Sequence, residues 1–129
     1  MIGLRPGGKL PRIYYVNWFR TDDKGNFLWP GYGENSRVLK WIFERVTGTG
    51  KAVDTPIGRL PAPGALDLSG LSVPASAMEE LLRVDVDAWL AELPLMREHL
   101  AKFGTKLPPG VKSEVDALEK RLQGAKVGA

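Results

Sequence analysis

The chain has 129 residues, 43% of them apolar and 26% charged, the balance of a single soluble globular unit rather than a disordered chain. Its formal charge of +3 is mildly basic, and with both signs mixed along the sequence it makes no case for nucleic acid. The absence of cysteine removes disulfides, thiolate metal sites and cysteine nucleophiles, and no run approaches the roughly 18 apolar residues of a membrane helix. The opening MIGLRPGGKL has no apolar core of signal-peptide length, so the expected location is the cytoplasm.

Arg12–Phe19 is rich in β-branched and aromatic residues and predicts a strand. Its faces, Ile13/Tyr15/Asn17/Phe19 and Tyr14/Val16/Trp18, are both largely apolar, so both want cover. A polar turn follows at Thr21–Asn26, with Gly25 able to take positive φ, and Phe27–Trp29 reads as a returning strand. Together these predict an N-terminal β-hairpin, which two strands alone hold only marginally in water. Pro30–Gly33 is a tight, glycine-bracketed loop. Glu34, Asn35 and Ser36 offer N-cap chemistry for an amphipathic helix over Arg37–Val46 that ends near Gly48.

Residues 48–74 carry five glycines and four prolines and predict an irregular connector, with brief order near Pro56-Ile57 and Leu66–Leu71. Ser76 and Glu79 fit a capping box. Asp85 is placed to cap a helix through Trp89 and Leu93, which Pro94 must kink or restart. Val111, Val115, Leu118 and Leu122 form the apolar stripe of a last helix, with Asp116 and Lys120 as an i,i+4 pair. The expected class is α+β: a hairpin, loop and first helix over 1–47, a connector over 48–74, C-terminal helices over 75–123 and a frayed tail over 124–129.

Chemistry-bearing motifs are few. Gly48-Thr-Gly-Lys51 fails as a phosphate loop, because the required first glycine position is Arg45, the residue after the lysine is Ala52, and a helix precedes it. Gly31-Tyr-Gly33 opens like a dinucleotide fingerprint, but the third glycine position is Ser36. His99 is the only histidine and has no acidic or histidine partner at metal spacing. The acidic pairs lie in turns or near helix starts, and the serines and threonines lack a neighbouring base. No catalytic residue and no metal ligand is therefore assigned.

The aromatic residues are the exception. Apart from Trp89 and Phe103, all lie between Tyr14 and Phe43. Trp18, Phe19, Phe27 and Tyr32 come from a strand end, a hairpin return and a tight loop, elements that can converge on a slot for a planar heterocycle. Asn35 stands beside them. An amide that donates to a carbonyl and accepts from an N–H suits the O6/N1 edge of guanine and opposes the amino group of adenine. Simple core packing is the other reading of these rings, and the commoner role of aromatics near a hairpin.

The runs VNWFR at 16–20 and FLWPGYGENSRVL at 27–39, with TPIG at 55–58 and ALDLSGL at 65–71, resemble the C-terminal part of GTP-dependent phosphoenolpyruvate carboxykinase in the same order. The resemblance extends from about Pro6 to about Leu122, including the helical tail after Met78. It implies that Phe19, Phe27 and Tyr32, with Trp18 adjacent, hold guanine, that Asn35 reads its edge, and that Tyr32, Gly33, Glu34 and Asn35 form the nucleotide-contacting run. The family often has Phe where this chain has Tyr32. The family's reaction, in gluconeogenesis, converts oxaloacetate and GTP to phosphoenolpyruvate, carbon dioxide and GDP, with manganese.

The family's phosphate loop, manganese ligands, oxaloacetate-binding arginines and lid lie upstream of these runs. The resemblance thus implies a C-terminal, GTP/GDP-binding fragment, part of a larger α/β lobe, inactive alone and partnered by the N-terminal catalytic part that it lacks. Two rival readings are a stand-alone base-stacking or single-stranded nucleic-acid module and a subunit completing a separately encoded enzyme. Against the nucleic-acid module, basic residues do not cluster around the aromatic stretch, and Asp22 and Asp23 lie within it.

Overall fold

The computed structural model describes residues 10–127. The chain is α+β, with helices α1 (Asn35–Thr47), α2 (Ala75–Leu82), α3 (Val86–Ala101) and α4 (Pro109–Val127) and a two-stranded antiparallel hairpin of β1 (Ala52–Thr55) and β2 (Gly58–Pro61). Short 3-10 turns at Tyr32–Glu34 and Gly104–Lys106 precede α1 and α4. Two compact units are present. One comprises Pro11–Asp54 and Arg59–Arg83; the other, among the described residues, comprises Leu10, the hairpin tip Thr55–Gly58 and the chain from Val84 on.

In the first unit the hairpin lies later than the sequence suggests. Among the described residues Arg12–Asn17 joins no ladder, and the pairing found near it is an isolated antiparallel bridge between Thr21 and Phe27. The side-chain alternation of a strand persists: Ile13 and Tyr15 are exposed at 91% and 94%, while Tyr14, Val16 and Trp18 are half-buried. The segment is thus extended and covered on one face only. It ends where Asn17 Oδ1 accepts the Phe19 amide at 2.9 Å and turns the chain at Trp18-Phe19. The true hairpin falls inside the expected connector, around Pro56-Ile57, with Gly58 at φ 128°.

Two tryptophans, Trp29 and Trp41, are the buried apolar residues of this unit, each 5% exposed. Tyr14 meets Trp41 edge to face, with ring centroids 6.1 Å apart, and the Trp41 indole donates to the Lys51 carbonyl at 2.9 Å. That bond draws the chain after α1 back along the helix. Gly48 closes α1 in the left-handed region, φ 91°, and the amides of Thr49 and Gly50 both reach Glu44 O at 2.9 Å. A Cβ on Gly50 would sit 2.8 Å from the Arg45 nitrogen, so this close return admits only glycine. The GTGK run is therefore a helix-to-strand return, the reverse of a phosphate loop's strand-to-helix order.

The caps expected before α1 and α2 are not made. Glu34 and Pro74 hold the N-cap positions and neither makes a side-chain cap bond, while Ser76 lies inside α2. The α2 terminus is held at its other end, where Arg20 donates to Leu81 O at 2.9 Å and to Glu80 at 3.1 Å. A cation there also meets the negative end of the helix dipole.

In the second unit Asp85 caps α3 as expected, accepting the Ala88 amide at 2.9 Å. α3 runs unbroken through Pro94. It packs on α4, and each helix buries one leucine, Leu93 at 2% and Leu122 at 0% exposure. Arg97 bridges to Asp116 at 2.7 Å and Glu119 at 2.8 Å, so Asp116 pairs across the helices rather than with Lys120. Arg121 donates to Pro56 O at 2.8 Å, which fastens the hairpin tip to α4. α4 continues through Gly124 to Val127, and the last two residues of the expected tail lie outside the described residues. No helix among the described residues is long and apolar enough to cross a membrane.

Leu122→Ala is expected to destabilise the α3–α4 unit by about 2–5 kcal/mol, the range for emptying a fully buried leucine site. Urea denaturation followed by circular dichroism, wild type against variant, measures this.

Candidate nucleotide-base site

The Thr21–Phe27 turn positions the first two rings. Asp22 organises it: one carboxylate oxygen accepts the amides of Lys24 at 2.9 Å and Asn26 at 2.8 Å, and the other takes the Asn26 side chain at 3.1 Å. Gly25 sits at φ 82°, as its position in the turn predicts. The Asn26 side chain and then its amide hold the Asp22 carboxyl below its ordinary 3.8. Closing this turn, Leu28 N donates to Arg20 O at 2.9 Å and the Phe19 and Phe27 rings come to 6.4 Å between centroids. Their planes are inclined at 61°, so they meet edge to face and do not form a parallel-walled slot between themselves. Phe19 and Phe27 are exposed at 74% and 64%, so most of each ring is open.

The Pro30–Gly33 loop carries the third ring. Gly31 takes φ 75°, and Tyr32 follows at φ 42°, the one non-glycine residue with positive φ among those described. A tyrosine held there costs on the order of 1–3 kcal/mol. Its ring is 99% exposed. The strained backbone thus aims a large side chain at open space, where packing gains nothing. Trp18 is half-buried, and among the described residues no ring contact joins it or Tyr32 to the Phe19–Phe27 pair.

The polar residues of the loop are committed locally. Glu34 N donates to Gly31 O at 3.1 Å, Ser36 Oγ donates to Gly33 O at 2.7 Å, and the Glu34 carboxylate pairs with Arg37. Asn35 Oδ1 accepts the Trp29 indole N–H at 3.0 Å. These bonds explain why none of the three expected caps serves α1: each side chain has a nearer partner, and the 3-10 turn leads straight into the helix.

Two residues that the sequence reading passed over hold this arrangement. Trp29 is one. The other is Arg37, which besides Glu34 donates to the carbonyls of Asp67 at 2.7 Å and Ser69 at 2.9 Å. The ALDLSGL run is therefore the strap that Arg37 ties to the start of α1. Within the strap the Ser69 hydroxyl, ahead of the Ser69 amide, keeps the Asp67 carboxyl below its usual value, with Lys40 and Arg37 adding smaller effects. The i,i+3 spacing of Glu34 and Arg37 was the available signal for that pair. For Trp29, the signal was an indole next to a turn whose N–H must find an acceptor.

The structure thus presents exposed rings on an ordered turn, a strained aromatic in a glycine-bracketed loop and, three residues on, a side-chain amide bonded to Trp29. The described residues hold no group of three or more His, Asp or Glu suited to a metal ion. The comparisons with known proteins give the lineage. Residues 2–121 match the family model described as the phosphoenolpyruvate carboxykinase C-terminal P-loop domain, and the chain belongs to that family.

Relatives named phosphoenolpyruvate carboxykinase (GTP) include that of Neocallimastix frontalis, 61% identical over 118 residues, covering 91% of this chain and 19% of the relative. That of Treponema pallidum (strain Nichols) is 50% identical over 121 residues, 93% of this chain and 20% of the relative. That of Arthrobacter sp. (strain FB24) is 49% identical over 114 residues, 88% and 19%. The chain spans about a fifth of the length of these relatives.

Because its folded pKa is depressed, Asp22 contributes turn stability that is present above about pH 4 and is lost as pH falls through the lower folded value. An NMR titration of the Lys24 and Asn26 amides is expected to give a midpoint below 3.8, and Asp22→Asn to abolish that titration step.

Proposed function

We propose that this chain forms the guanine-recognising portion of a GTP-dependent phosphoenolpyruvate carboxykinase, a cytoplasmic enzyme of gluconeogenesis that turns oxaloacetate and GTP into phosphoenolpyruvate, carbon dioxide and GDP. The observation that carries the proposal is the Tyr32–Asn35 run: an aromatic ring under backbone strain, fully open, three residues before an oriented amide, in a chain of this family. Phe19 and Phe27 supply a stacking face, Tyr32 closes over the base with Trp18 alongside, and Asn35 reads the O6/N1 edge. Gly33 and Glu34 keep the loop in the shape that presents both. Base–aromatic stacking contributes about 1–3 kcal/mol per base, and the amide turns that sequence-blind attraction into a choice.

The phosphates, the oxaloacetate and the chemistry itself fall to the remainder of the carboxykinase. No donor set for the family's manganese is found among the described residues, and no step is assigned to it. The unpaired extended segment supports a larger body. Ile13 and Tyr15 on that segment, and Leu39 and Phe43 on α1 at 57% and 68% exposure, are large apolar groups with water on them. The catalytic part of the enzyme is the proposed cover.

The purified 129-residue chain, given GTP, oxaloacetate and manganese, is expected to form no phosphoenolpyruvate. Its appearance in a coupled assay would show that the catalytic groups are present after all. Tyr32→Gly is expected to leave folding stability within about 1 kcal/mol, since glycine accepts the positive φ but loosens the unfolded chain. The same variant should weaken GDP binding at least about fivefold through lost stacking. Unchanged GDP affinity in equilibrium dialysis would remove Tyr32 from the site.

A further inference from the structure

We infer that Trp29 is the residue that makes base reading one-way, by locking the Asn35 amide with its oxygen inward and its NH2 group outward. The inference rests on the guanine reading of Asn35 for its consequence, though not for the lock itself. Trp29 is 5% exposed, so its indole N–H is shut from water and needs a protein acceptor. An indole nitrogen donates and cannot accept, so only the amide oxygen can face it. Asn35 Oδ1 lies 3.0 Å away and is that acceptor.

The two ends of a free asparagine amide exchange places by a half-turn about χ2. A free Asn35 would then serve guanine, with NH2 toward O6, and equally serve adenine, with oxygen toward the amino group. The indole removes the second option. A flipped amide would set NH2 against the indole N–H, donor against donor, in a buried place. Locked, Asn35 offers a donor to O6 and the second lone pair of its oxygen to an N–H on the same edge. Adenine presents a donor where the fixed amide presents its own donor. Trp29 acts through Asn35 and is a positioning residue for base choice.

Two measurements on the 129-residue chain test this. The first is solvent exchange of the Trp29 indole proton by NMR. It is expected to be slow in the wild type and in Asn35→Asp, which keeps an acceptor, and at least about tenfold faster in Asn35→Ala. Equal exchange in wild type and Asn35→Ala overturns the lock, whatever the nucleotides do. The second is the GDP-to-ADP affinity ratio by equilibrium dialysis. Trp29→Phe keeps a ring in the core and removes only the donor, and is expected to lower the ratio about three- to tenfold, largely by admitting ADP.

Asn35→Asp, which keeps an oxygen facing the indole, should keep its indole proton protected. A folded Trp29→Phe chain that keeps the wild-type ratio overturns the inference. If the wild type itself shows a ratio of one, the guanine reading falls, and the exchange measurement alone then upholds or removes the lock.

Discussion

An indole N–H buried away from water has to find an oxygen, and the N-terminal half of this chain is arranged around two such demands. Trp41 satisfies its donor on the Lys51 carbonyl, which fixes how the chain leaves α1. Trp29 satisfies its donor on the Asn35 side chain, which fixes how the chain enters α1. Each bond joins a hydrophobic anchor to a turn rich in glycine, where the backbone has the least preference of its own. Without them the Gly31–Gly33 and Gly48–Gly50 turns would have many conformations to choose from. With them, α1 is a rigid post with both ends specified.

This dependence explains what could be read in the sequence and what could not. The Thr21–Asn26 turn, α1, the Asp85 cap and α4 were legible because each is decided by residues within a few positions: Asp22 on Asn26, Asp85 on Ala88, an apolar repeat on its own helix. The Arg12–Phe19 strand was misread because period-two alternation reports which side chains are covered, not whether the backbone has a ladder partner. Tyr14 and Val16 are half-buried while the Ile13/Tyr15 face, also expected to be covered, is open, and nothing within the described residues pairs with their backbone. The β1–β2 hairpin failed for the opposite reason. Its strands of four residues, with Pro61 in the second, are too short and too proline-marked to look like a ladder.

The candidate site divides in the same way. Which residues are proposed to stack and which to read came from composition, order and the family resemblance. The geometry was not visible. Phe19 and Phe27 were expected to leave a gap, and they close edge to face instead, as paired rings do in the absence of anything between them. Asn35 was expected to share in capping α1, and Trp29 claims its oxygen. No periodicity argument foresees that, because the bond joins a buried core residue to a loop residue. Tyr32 was legible as a ring but not as a strained one. Its φ of 42° is imposed by the loop between Gly31 and Gly33, and strain of that kind persists only where the surroundings over-determine it.

A segment of this size can decide identity without supplying much affinity. A nucleotide offers two chemically separate handles, a flat neutral base and a highly charged phosphate chain. The charged handle attracts strongly and is the same in every nucleoside triphosphate. The base attracts weakly and differs. Stacking and one amide, at about 1–3 kcal/mol for the stack and about 0.5–1.5 kcal/mol for a neutral hydrogen bond, together reach the roughly 4 kcal/mol of millimolar binding when well formed and little more. Selectivity, however, is a difference between competitors, and a mispaired donor that cannot turn away penalises the wrong base without strengthening the right one. In the proposed reading, an amide locked from behind by a buried indole is suited to that task.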